Sequence, residues 1–407
     1  MRAAFRPALA WSWVLLAVCS ASGADWLHFR GTDNNGIAAG DQLPTEWSAE
    51  KNVAWKAPLV GRGCSSPIVV GDLVIVTSSS GAKQDRLHVL AFDAETGERR
   101  WERQFWATGH TLCHEFSSVA APSPASDGQR IYAFYSSNDV ACLDLEGNLL
   151  WFRGLTYDYP DAANDVGMSS SPVVVGDTVV VQAENFGDSF AAGLDAKTGE
   201  TRWRLPRDRE YMWASPTILR AANRADDSVL MQSANHFTAV DPHSGRVKWD
   251  LETRCAGIAS AVAEQGVVYL PSGGVVALQA SESTGAPAEL WKAEDIQPSN
   301  ASLVIHLGKL YAINRAGVLT CANAQNGEIL WRLRLEGSFW ATPVVAGDYL
   351  YIPNDAGVCQ VVKLGEKGEI VAKNPLGEQL LATPAIAGNA LYLRSDAHLW
   401  KIAEQGK

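Results

Sequence analysis

The run Trp106–Ser118 reads WATGHTLCHEFSS and places four metal-capable side chains, His110, Cys113, His114 and Glu115, within six residues. Imidazole, thiolate and carboxylate together make a plausible zinc donor set. Their spacing lacks the fixed helical or knuckle interval that holds ligands in place, so a polar, hydrogen-bonded loop accounts for them better and no metal is assigned. The same run fails as a haem tether, because His110 stands where the first cysteine of Cys-x-x-Cys-His is needed. Carboxylates such as Glu115 and Asp165 have the chemistry of a general base, but in loops they serve mostly as solvated turn residues. No nucleophile elbow, phosphate-binding loop or dinucleotide fingerprint appears, so no catalytic residue is assigned.

Those residues must be positioned by something, and the tryptophans show what it is. A unit closing on an acidic or polar turn and a Trp recurs down the chain: DAETGERRW to Trp101, DLEGNLLW to Trp151, DAKTGETRW to Trp203, DPHSGRVKW to Trp249, a looser version to Trp291, and NAQNGEILW to Trp331. With Trp55 the spacings are 46, 50, 52, 46, 42 and 40 residues, the length of one four-stranded propeller blade. Each unit opens on a small hydroxyl residue, expected at Ser66, Ser118, Ser171, Ser215, Ser260, Ser302, Thr342 and Thr383. Short β-rich runs with central Gly-Asp or Asn-Gly turns separate these landmarks. Eight openings predict an all-β, eight-bladed propeller of four-stranded antiparallel blades.

The last unit holds only three strands, whereas NVAWKAPL at residues 52–59 is a Trp-bearing strand with no unit of its own. Pairing the two closes the ring and leaves no free edge. A large indole late in the outermost strand can pack on the next blade while its N–H meets a backbone carbonyl. Trp101, Trp151, Trp203, Trp249, Trp291 and Trp331 are therefore expected to be structural docking residues. In the seventh unit Ala372 stands where Trp would be, which predicts the weakest interface.

Export is expected from Arg2 and Arg6, the apolar run WSWVLLAV and the small residues Ser22-Gly23-Ala24, giving a signal peptide over 1–24 and one propeller domain over 25–407. That apolar run is too short to span a bilayer. Cys19 would suit lipid attachment, although Val18 occupies a position where a small residue is expected. A net charge of −11 argues against nucleic acid as a partner. Cys142, Cys321 and Cys359 fall on third strands as small buried side chains. Cys64 and Cys113, on neighbouring blades, are placed where a disulfide could form.

DAETGERRW, DAKTGETRW and DPHSGRVKW resemble the pyrroloquinoline-quinone (PQQ) repeat, the tryptophan-docking motif shared by eight-bladed quinoprotein dehydrogenases and BamB-like envelope propellers. The resemblance covers essentially all of residues 25–407. DWLHFRGTDNNGIAAGDQLPTEW and GRGCSSPIVVGD look most like exported PQQ-like propellers of planctomycetes. For a dehydrogenase the resemblance would imply a calcium site, an aromatic floor and, in many members, adjacent cysteines. No two cysteines are adjacent in this chain and no insertion houses a catalytic site, so no cofactor is assigned. The loops that lead into first strands meet at one mouth of a propeller's channel, where ligands and partners usually bind. They carry Arg62, His110, His114, Glu115, Asp165, Trp213, Arg254, Asn300 and Trp340, a mixture of arginine and aromatics suited to recognition. Trp213 and Trp340 either meet a partner or plug the channel.

The chain thus reads as an exported, monomeric, non-enzymatic scaffold that binds an envelope protein or peptide through that rim. The alternatives are a small-molecule or carbohydrate binder using the channel, and last a PQQ-dependent oxidoreductase.

Overall fold

The structure is a computed structural model and describes residues 25–38, 43–48, 51–280 and 285–404. The expected leader and Cys19 lie outside the described residues. Its sheets form eight antiparallel blades. Blades one to seven each run inside to outside in chain order, beginning with Ile68–Val70, Ala125–Ser126, Val173–Val175, Thr217–Leu219, Val262–Glu264, Val304–His306 and Val344–Ala346. Blade eight takes three strands from Ala385–Ile402 and its outermost from Val53–Pro58, with Trp55 opposite Lys401 and Ala57 opposite Leu399. The ring therefore closes as the short last unit requires.

Every outermost strand carries a bulge just before the docking position, skipping for example Arg202 before Trp203 and Ala54 before Trp55. An extra residue bends a strand and re-aims the side chain that follows. Here it turns each indole towards the next blade. Trp101 Nε1 donates to Leu145 O at 2.8 Å, Trp151 to Ala196 O at 3.1 Å, Trp203 to Pro242 O at 2.8 Å and Trp291 to Ala324 O at 3.0 Å. The glycine of the neighbouring turn lies flat on the ring. A Cβ built on Gly245, whose φ is +71°, would sit 2.4 Å from the Trp203 ring.

One sequence expectation needs correction, and a second meets a residue that the repeat does not supply. Blade two's opening hydroxyl is Ser123, not Ser118: the first strand is only Ala125–Ser126, and Ser123 occupies the position that Ser66 and Ser171 hold in their blades. Ser118 lies earlier in the loop, where its hydroxyl faces the Cys64 thiol. Nor is the interface after blade seven left bare by Ala372. Trp47, from the segment preceding the closing strand, is buried against Tyr351 with ring centroids 6.5 Å apart. Asn374 holds it there, accepting from Trp47 N at 3.0 Å and donating to Thr45 O at 3.0 Å.

Candidate functional site

The innermost strands meet at their N-terminal ends in a belt of hydrogen bonds. Ser66 N donates to Ser123 Oγ, Ser123 N to Ser171 Oγ, Ser171 N to Ser215 Oγ, and the series continues through Ser260, Ser302 and Thr342 to Thr383 Oγ1, all at 2.8–3.0 Å. Seven hydroxyls, one from each unit but the first, thus tie one blade to the next. All eight of these hydroxyl residues also line a cavity of about 400 Å³ on the ring axis. This volume falls in the range of small-ligand sites, about 300–1,000 Å³.

One end of the cavity is closed by the chain itself. Residues 25–38 cross the face formed by the turns after the first strands, with hydrogen bonds to six of the eight blades. Trp26 bridges to Val69, Ser126 N donates to Leu27 O, and Val174 N donates to His28 Nε2 at 3.2 Å. Further along, Arg30 reaches Thr217 and Ala261, and Ile37–Ala38 pairs in parallel with Val345–Ala346. Burial holds the His28 imidazole down at about 4, so it is neutral and free to accept that bond. Phe29, at the centre of this crossing, forms the floor of the cavity. Sequence reading did not reveal the plug. Its only signal was an opening stretch, DWLHFRGTDNNGI, that fits no blade.

The other end is open and aromatic. Phe116 stacks on Trp340 at 5.9 Å and on His114 at 5.7 Å, while Tyr211 stacks on Trp213 at 5.5 Å and meets the exposed Phe186 edge-on at 4.7 Å. Two aromatic triads thereby face the same opening. Trp213 is pinned by its Nε1, which donates to Gly167 O at 2.9 Å. Among the expected rim residues, His114, Trp213, Asn300 and Trp340 line the cavity. Arg62 stands beside it, donating to Asp396 at 3.1 Å and to the Glu115 carbonyl at 2.8 Å, so it braces the loop from outside the cavity. His110, Glu115, Asp165 and Arg254 are exposed and none of them lines the cavity. Phe116, Tyr211, Ile258 and Phe29 do, and sequence reasoning missed all four.

No carboxylate, lysine or arginine among the described residues lines the cavity. Among the described residues no cluster of His, Cys, Asp and Glu is arranged to hold a metal ion. The Cys64 and Cys113 thiols are both free, so the disulfide considered from their placement is not formed. Burial pushes the Cys64 thiol up to about 11, which disfavours its thiolate.

Comparison with known proteins can now be set against this geometry. The family described as outer membrane protein assembly factor BamB matches residues 37–164, 161–269, 271–363 and 315–407. This chain belongs to that family. Two curated BamB proteins are similar to it: that of Burkholderia pseudomallei (strain K96243), 25% identical over 213 residues, and that of Legionella pneumophila (strain Paris), 22% identical over 198 residues. These alignments take in 50% and 47% of this chain and 49% of each relative, so the chain spans about half the length of the curated relatives it matches. Among solved structures, BamB from Moraxella catarrhalis superposes with a TM-score of 0.63 at 18% identity, covering 86% of this chain and 99% of that one. A europium-containing methanol dehydrogenase superposes with a TM-score of 0.72 at 14% identity, covering 91% and 89%. At these identities the structural likeness extends to the fold alone.

Proposed function

We propose that this BamB-family propeller is an exported, non-enzymatic scaffold that binds a protein or peptide partner in the cell envelope through the aromatic mouth of its channel. The observation that carries this reading is a dead-end cavity, floored by Phe29 and framed by Phe116, Trp340, Tyr211 and Trp213, with no charged wall. Rigid aromatics around a desolvated pocket are the usual anchors of recognition. Family membership supports a protein partner, since the matched relatives are outer membrane assembly factors. No helix among the described residues is long and apolar enough to cross a membrane. The leader-like stretch over 1–24 supports export, and we take the chain to act as a monomer at or near the outer membrane.

The test is comparative capture from envelope extract with wild type and Trp340→Ala. A partner recovered by wild type and lost by the variant supports the reading. Equal recovery by both would place the binding face elsewhere. The cavity volume favours one second reading, a small-molecule or carbohydrate ligand stacked on the mouth aromatics. In that case native mass spectrometry of the purified protein should show a bound mass that Trp213→Ala or Trp340→Ala releases.

A further inference from the structure

The hydroxyl belt has an unused half. Seven of the eight oxygens, all but that of Ser66, accept a backbone N–H from the neighbouring blade, which fixes their positions, yet a hydroxyl also carries a proton to donate. Ser171 reaches Ser169 O at 3.5 Å. Ser123, Ser215, Ser260, Ser302, Thr342 and Thr383 have no protein acceptor for that proton among the described residues, and all face the lumen. A ring of donors therefore converges on one axis without an acceptor.

A second observation lies at the closed end. Arg30 is fully buried, and only Nη2 is engaged, donating to Thr217 Oγ1 and Ala261 O at 3.0 Å each. Its Nε and Nη1 have no hydrogen-bond partner and it forms no ion pair among the described residues, its remaining contact being the Phe29 ring, 5.4 Å from the guanidinium carbon to the centroid. Thr217 opens the first strand of blade four, two residues after Ser215, and its own hydroxyl donates to Ala261 O at 2.8 Å, so Arg30 is tied in just behind the belt. Arg30 also holds φ at +64°, a left-handed conformation that a side chain other than glycine adopts at a cost. Water could satisfy the hydroxyls. It would leave the buried guanidinium without a counter-charge, which is the expensive part of burying an ion.

We propose that the channel takes a peptide carboxylate, entering past the aromatic mouth and held on the axis by the hydroxyl belt above Arg30. This inference rests on the mouth being the partner-binding face and adds the chemistry of what enters. A carboxylate offers several acceptor lone pairs to converging donors, and its negative charge would lie towards the closed end, beneath which Arg30 is buried without a counter-charge; Arg30 does not itself line the cavity and would act through the floor rather than by contact. A cavity closed by Phe29 cannot be threaded through, so it admits a chain end or a side chain. The lining contains no carboxylate that would repel either.

Calorimetric titration of the whole protein with three acetylated tetrapeptides tests it: Gly-Ala-Gly-Ala as the free acid, the same peptide as its amide, and Gly-Ala-Asp-Ala as the amide. At least one carboxylate form should bind about tenfold or more tightly than the uncharged amide, the usual scale for hydrogen bonds to a charged group. Preference for the free acid would identify a chain end, and preference for the Asp peptide a side chain. Arg30→Met should reduce the advantage, since its charge acts through the floor, while Trp340→Ala should weaken all three peptides alike. Equal binding of charged and uncharged forms, or no binding by any, overturns the proposal and leaves the mouth reading to stand or fall on the capture experiment. Thermal melting guards the variant. Arg30→Met should melt at or above wild type because an unpaired buried charge is gone, and a large fall would assign Arg30 to structure instead.

Discussion

At the residue scale, the repeated motif is a pair of interlocking parts read in neighbouring blades. The Trp of one unit and the Gly of the next unit's turn form a single contact, so the two letters recur together although they never touch within one repeat. Trp203→Ala should destabilise the protein by about 3–5 kcal/mol in urea unfolding, the cost of truncating a buried large aromatic. Gly245→Ala should also destabilise it, since the new methyl meets the Trp203 ring and the positive φ is disfavoured; a variant as stable as wild type would mean the turn can retreat. The Asp that opens the motif has its own role. Asp93 Oδ1 accepts from Glu95 N at 2.9 Å, Thr96 N at 2.7 Å and Thr96 Oγ1 at 3.0 Å. The Thr96 amide and the Arg100 guanidinium hold its carboxyl down at about 2. The folded value lies below the unfolded one, so the stabilisation is complete above about 4 and disappears as pH falls towards 2. The Asp195 carboxyl is lowered first by the Arg202 guanidinium and then by the amides of its turn, and, against the opposing effect of burial, that of Asp241 is lowered by the Ser244 amide and hydroxyl. Unfolding free energy should fall between pH 5 and 2, and Asp93→Asn should flatten part of that slope; an unchanged slope would remove Asp93 from the account.

At the element scale, the parts that repeat were legible and the parts that occur once were not. Period, turn chemistry and the orphan strand at 52–59 sufficed to place eight blades and their closure, because every blade must meet the same packing need. Ser118 was misread because the blade-two loop offers two candidate hydroxyls, and only the one before Pro124 enters the belt. The plug over 25–38 and the replacement indole Trp47 escaped because neither has a counterpart elsewhere in the chain. Both belong to the segment that leads to the closing strand. Removing residues 25–60 should therefore do three things together: open a sheet edge on blade eight, remove the channel floor and empty the interface beside Ala372. Light scattering should show aggregation of that deletion under conditions where wild type stays dispersed. A monomeric deletion with unchanged melting would contradict the closure account.

At the scale of the whole molecule, the site arises from rotational repetition broken at two places. Eight equivalent hydroxyls give the channel its wall, and two irregular additions, the N-terminal plug and the aromatic loops, turn an open pore into a pocket with one entrance. This explains why half of the candidate site was readable. Loops leading into first strands could be listed from the sequence, but which side chains turn inward depends on loop geometry, so Trp213 and Trp340 line the cavity while Arg254 and Asp165 do not. The central claim is that this mouth binds the partner. Its most direct test is the affinity of the captured envelope partner for wild type, Trp340→Ala and Arg254→Ala, each with a melting curve. The account predicts a loss of about 2 kcal/mol or more for Trp340→Ala with nearly unchanged melting, and little loss for Arg254→Ala. Undiminished binding by Trp340→Ala, or a loss that tracks unfolding, would contradict it.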